Sequence, residues 1–220
     1  MALVHNIIIR SLNSIYLQAP HVPPSHQSAF TCYMLATWQT VHEHHRGEET
    51  SLFPAIEKAT GETGIMEVNV RQHQAFETGF EAWGHWIRDV EQERERFSGQ
   101  RCRDLMDGFM RDLATHLAEE IPSLMALAKY PESRLPLRRL WEEEGKAVMG
   151  GLSKTRQLPV VLLNHDVTFE GEGLHANFPP LPAPVKWVLM NVCARWNASW
   201  WAFSTCGVDG RPRELAFLGE

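Results

Sequence analysis

The sequence predicts an all-α protein: an up-down-up-down four-helix bundle over residues 1–150, then a less regular Pro- and Trp-rich extension over 151–220 packed on it. Three features predict this. Long stretches carry apolar residues at helical spacing and are separated by Pro and Gly breaks. The spacing His-x-x-x-Glu recurs on three of those stretches, at His44/Glu48, His73/Glu77 and His116/Glu120. After Leu152 the helical period gives way to Pro179, Pro180, Pro182 and Pro184 and to Trp196, Trp200, Trp201 and Phe203.

Helix 1 is expected over residues 3–17, where Val4, Ile7, Ile8, Leu12 and Ile15 form one apolar stripe. The prolines between Pro20 and Pro24 end it, and Ser25 is a candidate N-cap for helix 2, which runs to about residue 59 and closes at Thr60-Gly61. Helix 3 covers about 64–97; its end, Glu91 to Arg96, reads as a solvated charged face. Ser98-Gly99 breaks the chain before helix 4, about 101–129, which stops ahead of Pro131. Pro54 and Pro122 remove backbone donors just past two of the His/Glu pairs, so a kink or helix end is expected there. A further helical piece covers 136–149. In the extension, Pro159 to Leu163 reads as a short strand, His165-Asp166 as a capped turn after it, and the Trp cluster as core.

Bulk properties remove several function classes. A net charge of −6 opposes nucleic-acid binding, which needs a basic surface. No apolar run reaches the roughly 18 residues of a membrane span. His5 and Asn6 interrupt the apolar N-terminal stretch and no cleavage site follows, so it does not read as a signal peptide. Cys32, Cys102, Cys193 and Cys206 are scattered, as expected of reduced thiols in a cytoplasmic protein. Partners are therefore expected among small molecules and dioxygen, with the oligomeric state left open.

The His/acid pairs carry the chemistry. Residues i and i+4 share a helix face, so each pair can aim an imidazole and a carboxylate at one point. With 11 His and 27 acidic residues in 220 positions, roughly 1.4 such pairs are expected by chance; five occur, the others being His45/Glu49 and His85/Asp89. Bundle height selects among them. Glu48 lies about 16 Å from the end of helix 2 and His73 about 14 Å from the start of helix 3, whereas His85 lies about 18 Å further along. Spacing alone leaves His44/Glu48 and His45/Glu49 as alternatives. Buried charge in a bundle core must be paired or metal-bound.

The segments HHRGEETSLFP (His44 to Pro54), HLAEEIP (His116 to Pro122), HNIIIR (His5 to Arg10) and QHQAF (Gln72 to Phe76) resemble the four ligand segments of the hemerythrin-like (HHE cation-binding) family. The resemblance spans about residues 1 to 130, and with the Pro- and Trp-rich tail it is most similar to fungal members. It implies two non-haem iron ions, or manganese, with dioxygen as ligand or co-substrate. By this resemblance His5 and His44 serve one metal, His73 and His116 the other, and Glu48 and Glu120 bridge. Glu77 stands where the oxygen-carrying members have their remaining histidine. An anion there lowers the potential of the pair and implies an oxidase or oxygenase acting on an organic small molecule in secondary metabolism; the alternative is a non-enzymatic carrier, sensor or iron buffer. No catalytic residue beyond the ligands is identified. His42 and His45, like Glu49 and Glu119, are expected beside the ligands or on the surface, with His42 a candidate proton donor.

Overall fold

A computed structural model describes residues 1–171 and 173–219. The chain is all-helical; among the described residues extended pairing is limited to an isolated bridge between Cys206 and Pro212. Helix α1 (Ala2–Gln18) buries His5, Ile8, Leu12 and Ile15 along one face. After the prolines, α2 (Gln27–Gly47) passes through a π-helical turn (Glu48–Leu52) into α3 (Phe53–Thr60). Pro54 falls in the first turn of α3, where its missing donor is tolerated. Gly61, in the left-handed conformation at φ 68°, closes α3.

Helix α4 (Glu67–Glu91) stops short of its expected end, and its charged tail turns back through Glu93 at φ 58°. The expected fourth helix is two helices, α5 (Gly99–Asp107), capped by the Ser98 hydroxyl, and α6 (Met110–Ala126). The break at Gly108-Phe109 has a packing reason: α4 approaches so closely that a Cβ on Gly79 would lie 2.8 Å from the Gly108 carbonyl. Pro122 lies inside α6 without ending it. Helix α1 packs on α2 and α6, α2 on α4, and α4 on α6, which closes a ring of long helices.

Helix α7 (Leu137–Gly151) crosses α2, α3 and the π turn. The approach is close: a Cβ on Gly47 would meet the Glu144 carboxylate at 2.2 Å. The extension continues with α8 (Gln157–Leu163), α9 (Ala183–Val188) and α10 (Ala194–Trp196). Residues Pro159 to Leu163 are thus helix, not the expected strand. Every residue from Leu158 to Leu163 is buried, and a continuous apolar run carries no period to separate the two.

Leu158, Leu162 and Phe203 share one core with Ile8, Phe30 and Trp83. Polar ties join the same surfaces. Tyr33 donates to Asn164 Oδ1 at 3.1 Å, Arg10 pairs with Asp166 at 2.9 Å, and Ser14 donates to the Phe203 carbonyl. Asp166 Oδ1 accepts from the Thr168 backbone at 2.8 Å, making the capped turn, here after a helix. Trp201 is core, but Trp196 is 82% exposed, against the expectation for the cluster. A second apolar cluster, built on Leu52, Phe53, Ile56, Met66, Leu127 and Leu135, fills the opposite end. No helix among the described residues is long and apolar enough to cross a membrane.

Candidate metal centre

The inward face of each long helix carries polar groups at one level between the two apolar clusters. Along α4 the buried stripe is Asn69, His73, Phe76, Phe80, Trp83 and Ile87, a 4-3-4-3-4 spacing that keeps one side inward. On α6 it is Leu113, His116, Leu117 and Glu120; on α1 it includes His5. Helix α2 presents Val41, His45, Glu48 and Leu52 in register, with His44 beside them. Because adjacent helical residues differ by about 100°, and Glu48 follows His44 by four and His45 by three, the carboxylate lies between the two imidazoles. The π turn begins at Glu48, and such turns are frequent at functional sites.

Burial is extreme: His116 and Glu120 are 0% exposed, Glu48 1%, His5 and His73 3%, His45 7%. Donor atoms of His45, Glu48, His73 and His116 lie within 4.8 Å of one another, and so do those of His5, His44 and Glu48. Glu48 belongs to both groups. Its Oε1 is 3.2 Å from His44 Nε2 and its Oε2 3.6 Å from His73 Nε2, so the two oxygens face different groups. Glu120 Oε2 approaches His5 Nε2 at 3.0 Å.

The far side of three rings is tied down. His5 Nδ1 donates to the Leu117 carbonyl at 2.9 Å, His73 Nδ1 to Glu49 Oε1 at 2.7 Å, and His116 Nδ1 to Gln72 Oε1 at 3.4 Å. Each partner is an acceptor, so Nδ1 carries the proton and the Nε2 lone pair points inward; metal-bound histidines are held in this way. Two of those inward atoms, His73 Nε2 and His116 Nε2, face each other at 3.1 Å with no proton left between them, and the other donors of the site have no hydrogen-bond partner in the protein. His5 Nε2, His44 Nε2, both His45 nitrogens and all four carboxylate oxygens of Glu48 and Glu120 are buried without a hydrogen bond. Orphaned groups at this density cost stability unless something fills the space between them.

Electrostatics agree. Burial holds His44 and His45 well below the ordinary imidazole range, lowers His73, and takes His116 down to about 3. These rings are neutral at pH 7, the form in which an imidazole can bind a metal. Burial, then the neighbouring Glu120, pushes the Glu48 carboxyl well up; a cation would reverse that. Imidazole and carboxylate without thiolate suit iron or manganese, so the residues present fit a pair of such ions.

The family described as hemerythrin HHE cation binding domain matches residues 1–147. The chain belongs to this family. The dimeric xanthone biosynthesis cluster protein R11 of Cryptosporiopsis sp. (strain 8999) is 33% identical over 219 residues, covering 99% of this chain and 81% of that protein. No solved structure matches.

Against the expectations for a hemerythrin HHE protein, six residues converge: His5, His44, Glu48, His73, His116 and Glu120. Glu77 does not join them. It is exposed, because Phe76 takes the inward position and the next residue turns about 100° away. The gap is filled from α2 by His45, expected beside the ligands, whose ring centroid lies 4.8 Å from that of His73 and 5.3 Å from that of His116. His42 stays outside, 38% exposed in its side chain and facing Glu43 and Glu81. Glu119 accepts from Gln72 at 2.6 Å and so braces the amide that holds His116. The alternating stripe through Phe76 and Phe80 is the signal that separates Glu77 from the site.

Proposed function

We propose that the chain is a non-haem di-iron (or di-manganese) protein that uses dioxygen to oxidise an organic small molecule in secondary metabolism. The observation that carries this reading is the inward-facing donor set of His5, His44, His45, Glu48, His73, His116 and Glu120, in which the donors of His5, His44, His45, Glu48 and Glu120 are buried without a hydrogen bond. The ions would supply the electrons for dioxygen reduction. The protein's residues do the rest. Glu48, with one oxygen toward each group, and Glu120 would be shared by the two ions; His5 and His44 would hold one, and His45, His73 and His116 the other. Glu49, Leu117 and Gln72 fix ring tautomers. The apolar clusters on either side keep water out. The Cryptosporiopsis relative, named for a xanthone biosynthesis cluster, supports a biosynthetic substrate.

In this reading residues 1–150 form an up-down-up-down four-helix bundle with α7 laid across it, and 151–220 an extension. The protein works in the cytoplasm, where its four free thiols stay reduced. One observation favours a second reading, a reversible oxygen or nitric oxide carrier, sensor or iron buffer. With His45 in place of Glu77 the set is five imidazoles and two carboxylates, so the anionic-ligand argument for an oxygenase falls away. Metal analysis after anaerobic Fe(II) addition, followed by dioxygen, separates these. Two irons per chain and an optical change that evacuation does not undo are expected. A spectrum restored by removing dioxygen would sink the oxidase reading, and less than one metal per chain would sink both.

A further inference from the structure

The metal centre is walled on its α6 side by apolar residues that also face outward. Leu124 follows Glu120 by four positions and shares its helix face. It packs with Leu127 on the cluster of Leu52 and Phe53, and the Phe53 ring lies 5.7 Å from the His73 ring. On the outer side of Leu124 and Leu127 opens a cleft of about 410 Å³, whose other walls include Met125, Tyr130, Leu135 and Leu137. Met125 leaves 71% of its surface exposed there.

The far wall is braced. Arg134 donates to the Thr60 carbonyl at the end of α3, and its guanidinium lies 5.3 Å from the centroid of the Tyr130 ring. The Lys129 ammonium sits 4.9 Å from the same ring. Backbone bonds from Arg134 and Leu135 to the Pro131 carbonyl, at 2.8 and 3.0 Å, close the turn between them. Tyr130 and Leu135 are therefore held in place by contacts outside the cleft, which is open to solvent.

We propose that this cleft is the substrate site of the metal centre and takes a neutral, largely apolar small molecule. The inference rests on the metal-dependent reading above. The volume lies within the roughly 300–1,000 Å³ of small-molecule sites, and such sites are mostly apolar with few polar groups. Here the lining side chains are apolar but for the Tyr130 ring, whose hydroxyl is itself buried, and, at the rim, Glu132, the sole charged residue of the lining. That carboxylate and the net charge of −6 disfavour anions. Leu124, half-buried, is the residue that both lines the cleft and shares the helix face of Glu120.

The test is a fluorescence titration of the full chain with N-phenyl-1-naphthylamine, a neutral aromatic probe. Saturable binding of one probe per chain is expected. Ala128→Trp, which fills the cleft from an exposed position, and Met125→Asp, which makes it polar, should each weaken binding at least tenfold, whereas Val192→Asp on the distant extension should not. In manganese-loaded protein the probe's proton resonances should broaden relative to zinc-loaded protein. Equal binding by all variants would overturn the proposal, as would cleft-dependent binding without broadening in protein that holds two manganese ions per chain. Manganese below one per chain, read by elemental analysis, would overturn instead the metal reading beneath it.

Discussion

The sharpest perturbation is Glu49→Gln. Of the three imidazoles tied from behind, only His73 leans on a carboxylate, at 2.7 Å; His5 and His116 use a carbonyl and an amide oxygen at 2.9 and 3.4 Å. Glutamine keeps an acceptor but removes the charge. Hydrogen bonds to charged groups contribute about 1.5–3 kcal/mol against about 0.5–1.5 for neutral ones, a difference of about 1–1.5 kcal/mol. The Glu49 side chain is 42% exposed, so water screens part of this. About 1 kcal/mol remains, roughly a fivefold weaker grip on the ion held by His73. Glu49→Ala removes the acceptor altogether and should reach the roughly 10–100-fold loss seen when the outer partner of a ligand is deleted. Anaerobic Fe(II) titration against a competing chelator resolves the two binding steps. The expected order is wild type, then Gln, then Ala, with one step affected. Equal weakening of both steps, or no change in either variant, would refute the reasoning that Glu49 acts through one ring.

Two further expectations follow from the same geometry. His45→Ala should lower the metal content by about one ion per chain while Glu77→Ala leaves it unchanged, as read by elemental analysis; the reverse result would return Glu77 to the site. The metal-free protein should lose stability as pH falls below about 6.5. His44, His45, His73 and His116 all resist protonation when folded, His116 down to about 3, because burial penalises the charged ring. The unfolded chain then binds more protons, so stability is present above the unfolded value and is lost on acidification. Glu48, held high, has the opposite sign and contributes stability lost as pH rises above its unfolded value, one group against four. For His116 alone the slope is about 1.4 kcal/mol per pH unit, roughly 3–6 °C in Tm for a chain of this size. A Tm flat from pH 7 to 5 in chelator-treated protein would contradict this.

The helices and most of the donor set were legible because both follow from periodicity. A 3.6-residue repeat places Ile8, Leu12 and Ile15 on one face, and the same repeat carries His73 and His116 inward. What periodicity could not decide was phase within a turn. A His/Glu pair four apart subtends about 40°, but a stripe alternating between four and three drifts the other way, so His73 and Phe76 face inward and Glu77 does not. The same limit hid His45. Next to His44 and about 100° from it, His45 reads as facing elsewhere until Glu48 is seen to lie between the two. Neighbouring imidazoles on one helix can then serve two ions across one carboxylate. The break at Gly108 and the helical state of Pro159 to Leu163 were illegible for another reason: contacts with distant segments, at Gly79 and on α2, decide them. The functional consequence lies in His45. Glu77 reads in the sequence as a carboxylate in place of an imidazole; with Glu77 exposed and His45 turned inward, the proposed donor set takes that imidazole from another helix, and ligand charge would not separate oxidase from carrier. The separation would then pass to the substrate site, which we place in the apolar cleft beside Leu124.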